Sequence, residues 1–175
     1  ERQVLLQRCQ KDFHMQDWMA FSSTDLKNWT NHGAILSLED LNWADNYAWA
    51  PDAAYKKGRY YLVFPAGTGF KDRVNPEKST KWMGIGIAES NSPTGPFKDM
   101  IGKPLWTTPY ANDPSIFIDD DGTPYLFWGH DRKCFAAELN KDLMSIKPET
   151  YVDLTKQLTH VFEGPWGRTA VATGV

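Results

Sequence analysis

The chain has 175 residues, enough for one ordinary domain with a core of its own. Its 19 Lys and Arg against 22 Asp and Glu leave a formal net charge of −3. No basic run stands out, which argues against a surface built for nucleic acid or anionic membrane. No stretch approaches the apolar length of a membrane-spanning helix, and the opening residues do not read as a signal peptide.

Residues 1–16 form an atypical N-terminal segment without a strand–turn–strand pattern. Strand signals then follow in order: "DWMAFSS" (17–23), "RYYLVFPA" (59–66), "MGIGIAES" (83–90), "PSIFIDD" (114–120) and "PYLFWGH" (124–130). Each is rich in aromatic or β-branched residues and bounded by Gly, Pro, Asn, Asp or Ser. Turn signals separate them at "KKG" (56–58), "SNSPTGP" (90–96) and "DDDG" (119–122). "TDLKNW" (24–29) reads as a loop, and "LNKDLMSI" (139–146) has the rhythm of a helical turn or two. The tail, 167–175, is truncated or divergent. The pattern predicts an all-β chain, read as one partial domain over 1–175.

Two stretches share one plan. "WAPDAAYKKGRYYLVFPA" (49–66) and "NDPSIFIDDDGTPYLFWG" (112–129) each run from a Pro-Asp or Asp-Pro pair through a strand and a Gly-containing turn to an aromatic strand. Their starts lie about sixty residues apart, a spacing suited to a four-stranded propeller blade with long loops. A chance likeness of two hairpins is the plainer alternative, and a repeat architecture is the better reading. Blades cannot bury their faces alone, so a partial array exposes apolar surface and favours self-association.

Two acids draw attention. Glu163, in "HVFEGPWG" (160–167), ends an apolar pair and is turned by Gly-Pro; burial beside Phe162 and Trp166 would favour its protonated form, as a general acid requires. An exposed turn glutamate is the alternative. Asp113 precedes a proline at the mouth of an apolar strand, where a turn-starting role is the competing reading. Asp52, in "WAPD", reads as a hydrogen-bonding loop residue more than a catalyst. The four His show no metal-ligand spacing, no Gly-x-Ser-x-Gly elbow occurs, and "DDDG" lacks the downstream ligands of a calcium loop. Cys9 and Cys134 also lack metal spacing and read as free thiols.

Five motifs, "FSSTDLKNWTNHG", "WAPDAAYKKGRYYLVFPA", "GIGIAESNSPTGPF", "NDPSIFIDDDGTPYLFWG" and "FEGPW", stand in the order found in glycoside hydrolase family 43, which the chain resembles from about Asp17 to Trp166. That family includes β-xylosidases, α-L-arabinofuranosidases and arabinanases. The resemblance implies a five-bladed β-propeller, about half of it present here, and inverting hydrolysis of arabinose- or xylose-containing plant polysaccharide; no cofactor is expected, and an ion on the propeller axis is left open. It makes Glu163 the general acid and Asp113 the carboxylate that tunes the acid's pKa and orients the sugar. Trp49 and Asp52 in "WAPD" fall in the substrate pocket, with Trp49 stacking on the sugar; Trp128 lines the pocket or fills blade core. Secretion or a periplasmic location follows from the substrate class.

The departures are specific. The motif that supplies the base in the family should precede "DWMAFSSTDLKNW"; here "ERQVLLQRCQKDFHM" has no Asp-Pro, and neither Asp12 nor Asp17 has the required context. A second reading follows: a non-catalytic carbohydrate-binding half-propeller. A propeller scaffold for protein partners is a third, but it needs no carboxylates at strand mouths.

Overall fold

The computed structural model describes residues 2–7 (backbone only), 15–68, 82–158 and 164–165. Among the described residues, eleven strands and two short 3₁₀ turns make up the regular structure, and the chain is all-β as the composition of its segments predicts. Three antiparallel sheets follow one another along the chain. The first joins β1 (Arg2–Gln7), β2 (Asp17–Ser23) and β3 (Thr30–Ser37) in that order. The second runs β4 (Asp52–Lys56), β5 (Arg59–Thr68), β6 (Trp82–Ser90) and β7 (Lys98–Asp99). The third runs β8 (Ser115–Ile118), β9 (Pro124–Trp128), β10 (Phe135–Glu138) and β11 (Val152–Asp153). Sequential meanders of three or four strands are the building unit of propellers.

All five sequence-predicted strands are present, and both copies of the repeat become the opening hairpin of a sheet: β4–β5 and β8–β9. The N-terminal segment departs from expectation. Residues 2–7 form β1, paired in continuous antiparallel register with β2 from Arg2↔Ser23 to Gln7↔Trp18. "LNKDLMSI" also departs: it is a non-helical reversal closed by an isolated bridge between Leu139 and Ile146.

The middle sheet is covered on both faces, which explains why β5 reads as an unbroken apolar run. Side chains alternate across a strand. Leu62, Phe64 and Ala66 therefore join Trp18, Ala20, Ile35 and Leu36 of the first sheet in one core. Val63 joins Ile85, Ile87, Ile116, Leu126 and Trp128 in a second core against the third sheet. Gly86 makes the first contact possible: a Cβ there would come within 2.4 Å of the Phe64 ring and 2.7 Å of Trp43.

At the far side of the third sheet, Tyr151 and Val152 remain exposed. Cys134 is a buried free thiol; burial raises its pKa, and the nearby Asp153 carboxylate raises it further. Cys9 lies outside the described residues. No described helix is long and apolar enough to cross a membrane.

Candidate active site

The loops that lead into the second and third sheets place most of the candidate residues. In the first, Tyr47 is buried with φ of 65°, and the edge of one of the Tyr47 and Trp49 rings meets the other at 5.2 Å. The Trp49 N–H donates to the Tyr47 carbonyl at 2.7 Å. From the first sheet, the buried Trp18 indole N–H donates to the Trp49 carbonyl at 2.8 Å. The Trp49 backbone is thus fixed from two sides, and its half-buried side chain lines an open cleft of about 530 Å³.

Trp82, Thr107, Thr108, Asn112 and His130 also line this cleft. His130 Nε2–H donates to the Pro109 carbonyl at 3.2 Å, and the imidazole packs against Tyr110. Two indoles beside hydroxyl, carboxamide and imidazole groups suit a ligand with apolar faces and hydroxyl edges. Asn112 is nine-tenths buried; its N–H donates to the Tyr110 carbonyl and its carbonyl accepts from Gly129 N–H. Its Oδ1 is buried and has no hydrogen-bond donor among the described residues. Sequence reading missed Asn112 and His130 as cleft residues, although both stand at the borders of the quoted "NDPSIFIDDDGTPYLFWG" motif.

Asp113 follows Asn112 directly. It is half-buried with φ of 44°, a left-handed conformation that costs a non-glycine residue about 1–2 kcal/mol. Pro114 and Ser115 then carry the chain into β8. The "DDDG" segment is a tight solvated turn, as its composition predicts: Gly122 N–H donates to the Asp119 carbonyl, and Thr123 N–H to Asp121 Oδ1. That backbone bond, and a second from the Thr123 side chain, hold the Asp121 pKa below its ordinary value.

The remaining sequence candidates divide. The Asp52 carboxylate is directed at protein donors: Oδ1 accepts from Ala53 N–H, and Oδ2 from both Ser115 Oγ–H and Ile116 N–H. Trp128 is fully buried in the second core and packs against Phe135, Trp106 and Tyr151, the arrangement expected of its core reading rather than of a pocket wall. Asp17 receives the Ser37 hydroxyl at 2.7 Å within the first sheet. Glu163, Trp166 and Asp12 lie outside the described residues. Among those described, no three His, Cys, Asp or Glu side chains gather as they would around a metal ion.

The profile of glycosyl hydrolases family 43 matches residues 9–168. The chain belongs to that family. Among curated relatives, a β-D-galactofuranosidase, xynD, of Aspergillus niger is 36% identical over 163 residues, covering 84% of this chain and 43% of the relative. A xylosidase/arabinosidase, 43A, of Humicola insolens is 37% identical over 135 residues, covering 73% and 38%. The chain therefore spans less than half the length of these curated relatives. Among solved family 43 structures, the β-xylosidase/α-arabinofuranosidase CoXyl43 from a compost metagenome, in complex with xylotriose, superposes with a TM-score of 0.71 at 27% identity, over 90% of this chain and 57% of that one. An α-L-arabinofuranosidase of Clostridium thermocellum superposes with a TM-score of 0.69 at 30% identity, over 92% and 52%.

Proposed function

We propose that this chain is part of an inverting glycoside hydrolase acting on arabinose- or xylose-containing plant polysaccharides outside the cytoplasm. One observation carries the reading: in a family 43 chain, Asp113 directly follows Asn112, whose side chain shares a cleft with Trp49. Trp49 offers an aromatic face to a pentose ring. Asp113 places a negative charge at the mouth of β8, and Glu163 donates a proton to the leaving oxygen. A carboxylate near that acid makes its ionisation harder and keeps it protonated at neutral pH. The base that activates water stands about 6.5–9.5 Å from the acid in an inverting site. This chain offers no residue in a recognisable base context, which keeps non-catalytic sugar binding as the second reading.

The test is hydrolysis of p-nitrophenyl β-D-xyloside, α-L-arabinofuranoside and β-D-galactofuranoside by the full-length protein that carries these residues. The third substrate enters because a relative bears that activity in its name. Release from a pentoside is expected, with a loss of about 10²- to 10⁴-fold in Glu163→Ala. Binding of xylose or arabinose without release would favour the second reading, and release by Glu163→Ala at the wild-type rate would remove Glu163 from the mechanism.

A further inference from the structure

Asp113 is one residue in an unfavourable conformation between two anchored segments. Upstream, Ala111 N–H donates to the Thr108 carbonyl at 3.1 Å and Asn112 N–H to that of Tyr110 at 2.8 Å, while the Asn112 carbonyl accepts from Gly129 N–H at 2.9 Å. Downstream, Pro114 has a ring-locked φ. The next two residues are tied to another sheet: Ser115 Oγ–H and Ile116 N–H donate to Asp52 Oδ2 at 2.9 and 3.0 Å. A φ of 44° at an aspartate persists only where its surroundings over-determine it.

Asp52 supplies the downstream half of that constraint. It and Ser115 are the first residues of β4 and β8, the opening strands of the second and third sheets. Ser115 is almost wholly buried, so its hydroxyl does not trade this acceptor for bulk water at little cost. The bonds to an ionised carboxylate are of the stronger, charge-assisted kind. Ala53 N–H occupies the second oxygen of Asp52, so both oxygens are taken by protein donors.

We infer that Asp52 is a positioning residue, which fixes the Asp113 carboxylate in the site by holding Ser115 and Ile116 across the junction of two sheets. This role replaces direct sugar contact for Asp52. It rests on the proposed function of Asp113. Loss of Asp52 frees the Ser115–Ile116 end of β8 and lets Asp113 relax toward an ordinary backbone conformation. Its charge then moves relative to the general acid, which ionises more easily.

The experiment compares Asp52→Ala, Asp113→Ala and the double variant of the full-length protein on p-nitrophenyl pentosides across pH. Asp52→Ala is expected to lower kcat/KM by about ten- to a hundredfold, the scale of a small misplacement at a reacting centre. The alkaline limb of its pH profile should move to lower pH. In the Asp113→Ala background the Asp52 substitution should cost less than about threefold, because coupled residues do not act additively. Ser115→Ala removes one of the two bonds to Oδ2 and should shift the limb in the same direction by less, which keeps the test open if Asp52→Ala misfolds. Additive losses, or lower melting temperatures with unmoved pH limbs in Asp52→Ala and Ser115→Ala, would show a merely structural staple and overturn the inference while leaving the proposed function intact. A wild-type protein that hydrolyses none of the glycosides would overturn both.

Discussion

The indole N–H of Trp18, at the heart of the first sheet's core, donates to the backbone carbonyl of Trp49 at the cleft. One hydrogen bond thus connects sheet packing to the wall of the site. Trp18→Phe keeps most of the apolar volume and deletes the donor. Leaving the partly buried carbonyl short of that partner should cost about 1–3 kcal/mol, measured by denaturant unfolding. It should also raise KM for a pentoside, since Trp49 loses the tether on its backbone carbonyl.

Gly86→Ala should be more damaging than its single methyl suggests. The new Cβ would meet the Phe64 ring at 2.4 Å, inside the core between the first two sheets. Overpacking of this kind costs about 1–3 kcal/mol. A lower denaturation midpoint with an unchanged slope is the expected result.

Asp25 gives a pH-dependent prediction. Its carboxylate accepts from the N–H groups of Asn28 and Lys27, then from the Asn28 carboxamide and the Ser23 hydroxyl, which hold its pKa far below the ordinary aspartate value of 3.8. A group whose folded pKa is depressed stabilises the protein above its unfolded pKa, and the contribution fades as pH falls below that value. The stability gap between wild type and Asp25→Asn should therefore be full at neutral pH and shrink below about pH 3.8. As the carboxylate is fully exposed, the gap should be small and salt-sensitive. Unfolding midpoints at pH 7 and pH 3 check this.

Asn112 should report on substrate more than on stability. Its Oδ1 has no donor among the described residues, so Asn112→Ala removes no recorded side-chain bond. If a sugar hydroxyl supplies the missing donor, the variant should raise KM by about three- to tenfold with a small change in melting temperature. Steady-state kinetics beside a thermal melt separate the two effects.

The aromatic and β-branched strands were legible in the sequence because they lie where apolar residues concentrate, notably β5 and β6 between two cores. The strands that escaped were of another kind. β10 ("FAAE") depends on alanines and partial exposure, and β3 carries register shifts against β2 near its polar start. In β1, "RQVLLQ" has no alternation to mark it, and its pairing with β2 is set by non-local contact. The site divides in the same way. Trp49 and Asp113 stand inside motifs with a local signature, whereas Asn112 and His130 reach the cleft only because the loop before β8 and the end of β9 converge there. The Asp52–Ser115 bond joins residues 63 positions apart, and a one-dimensional pattern does not encode it.

The central claim is that the cleft beside Trp49 and Asn112 binds the sugar whose glycosidic bond is cleaved. The most direct test is a crystal structure of the full-length protein, as Glu163→Ala, with xylotriose or an arabino-oligosaccharide. A pentose ring stacked on Trp49, with a hydroxyl within hydrogen-bonding distance of Asn112 and the Asp113 carboxylate facing the sugar, is the result expected. A sugar bound elsewhere at saturating concentration, with this cleft empty, would contradict it.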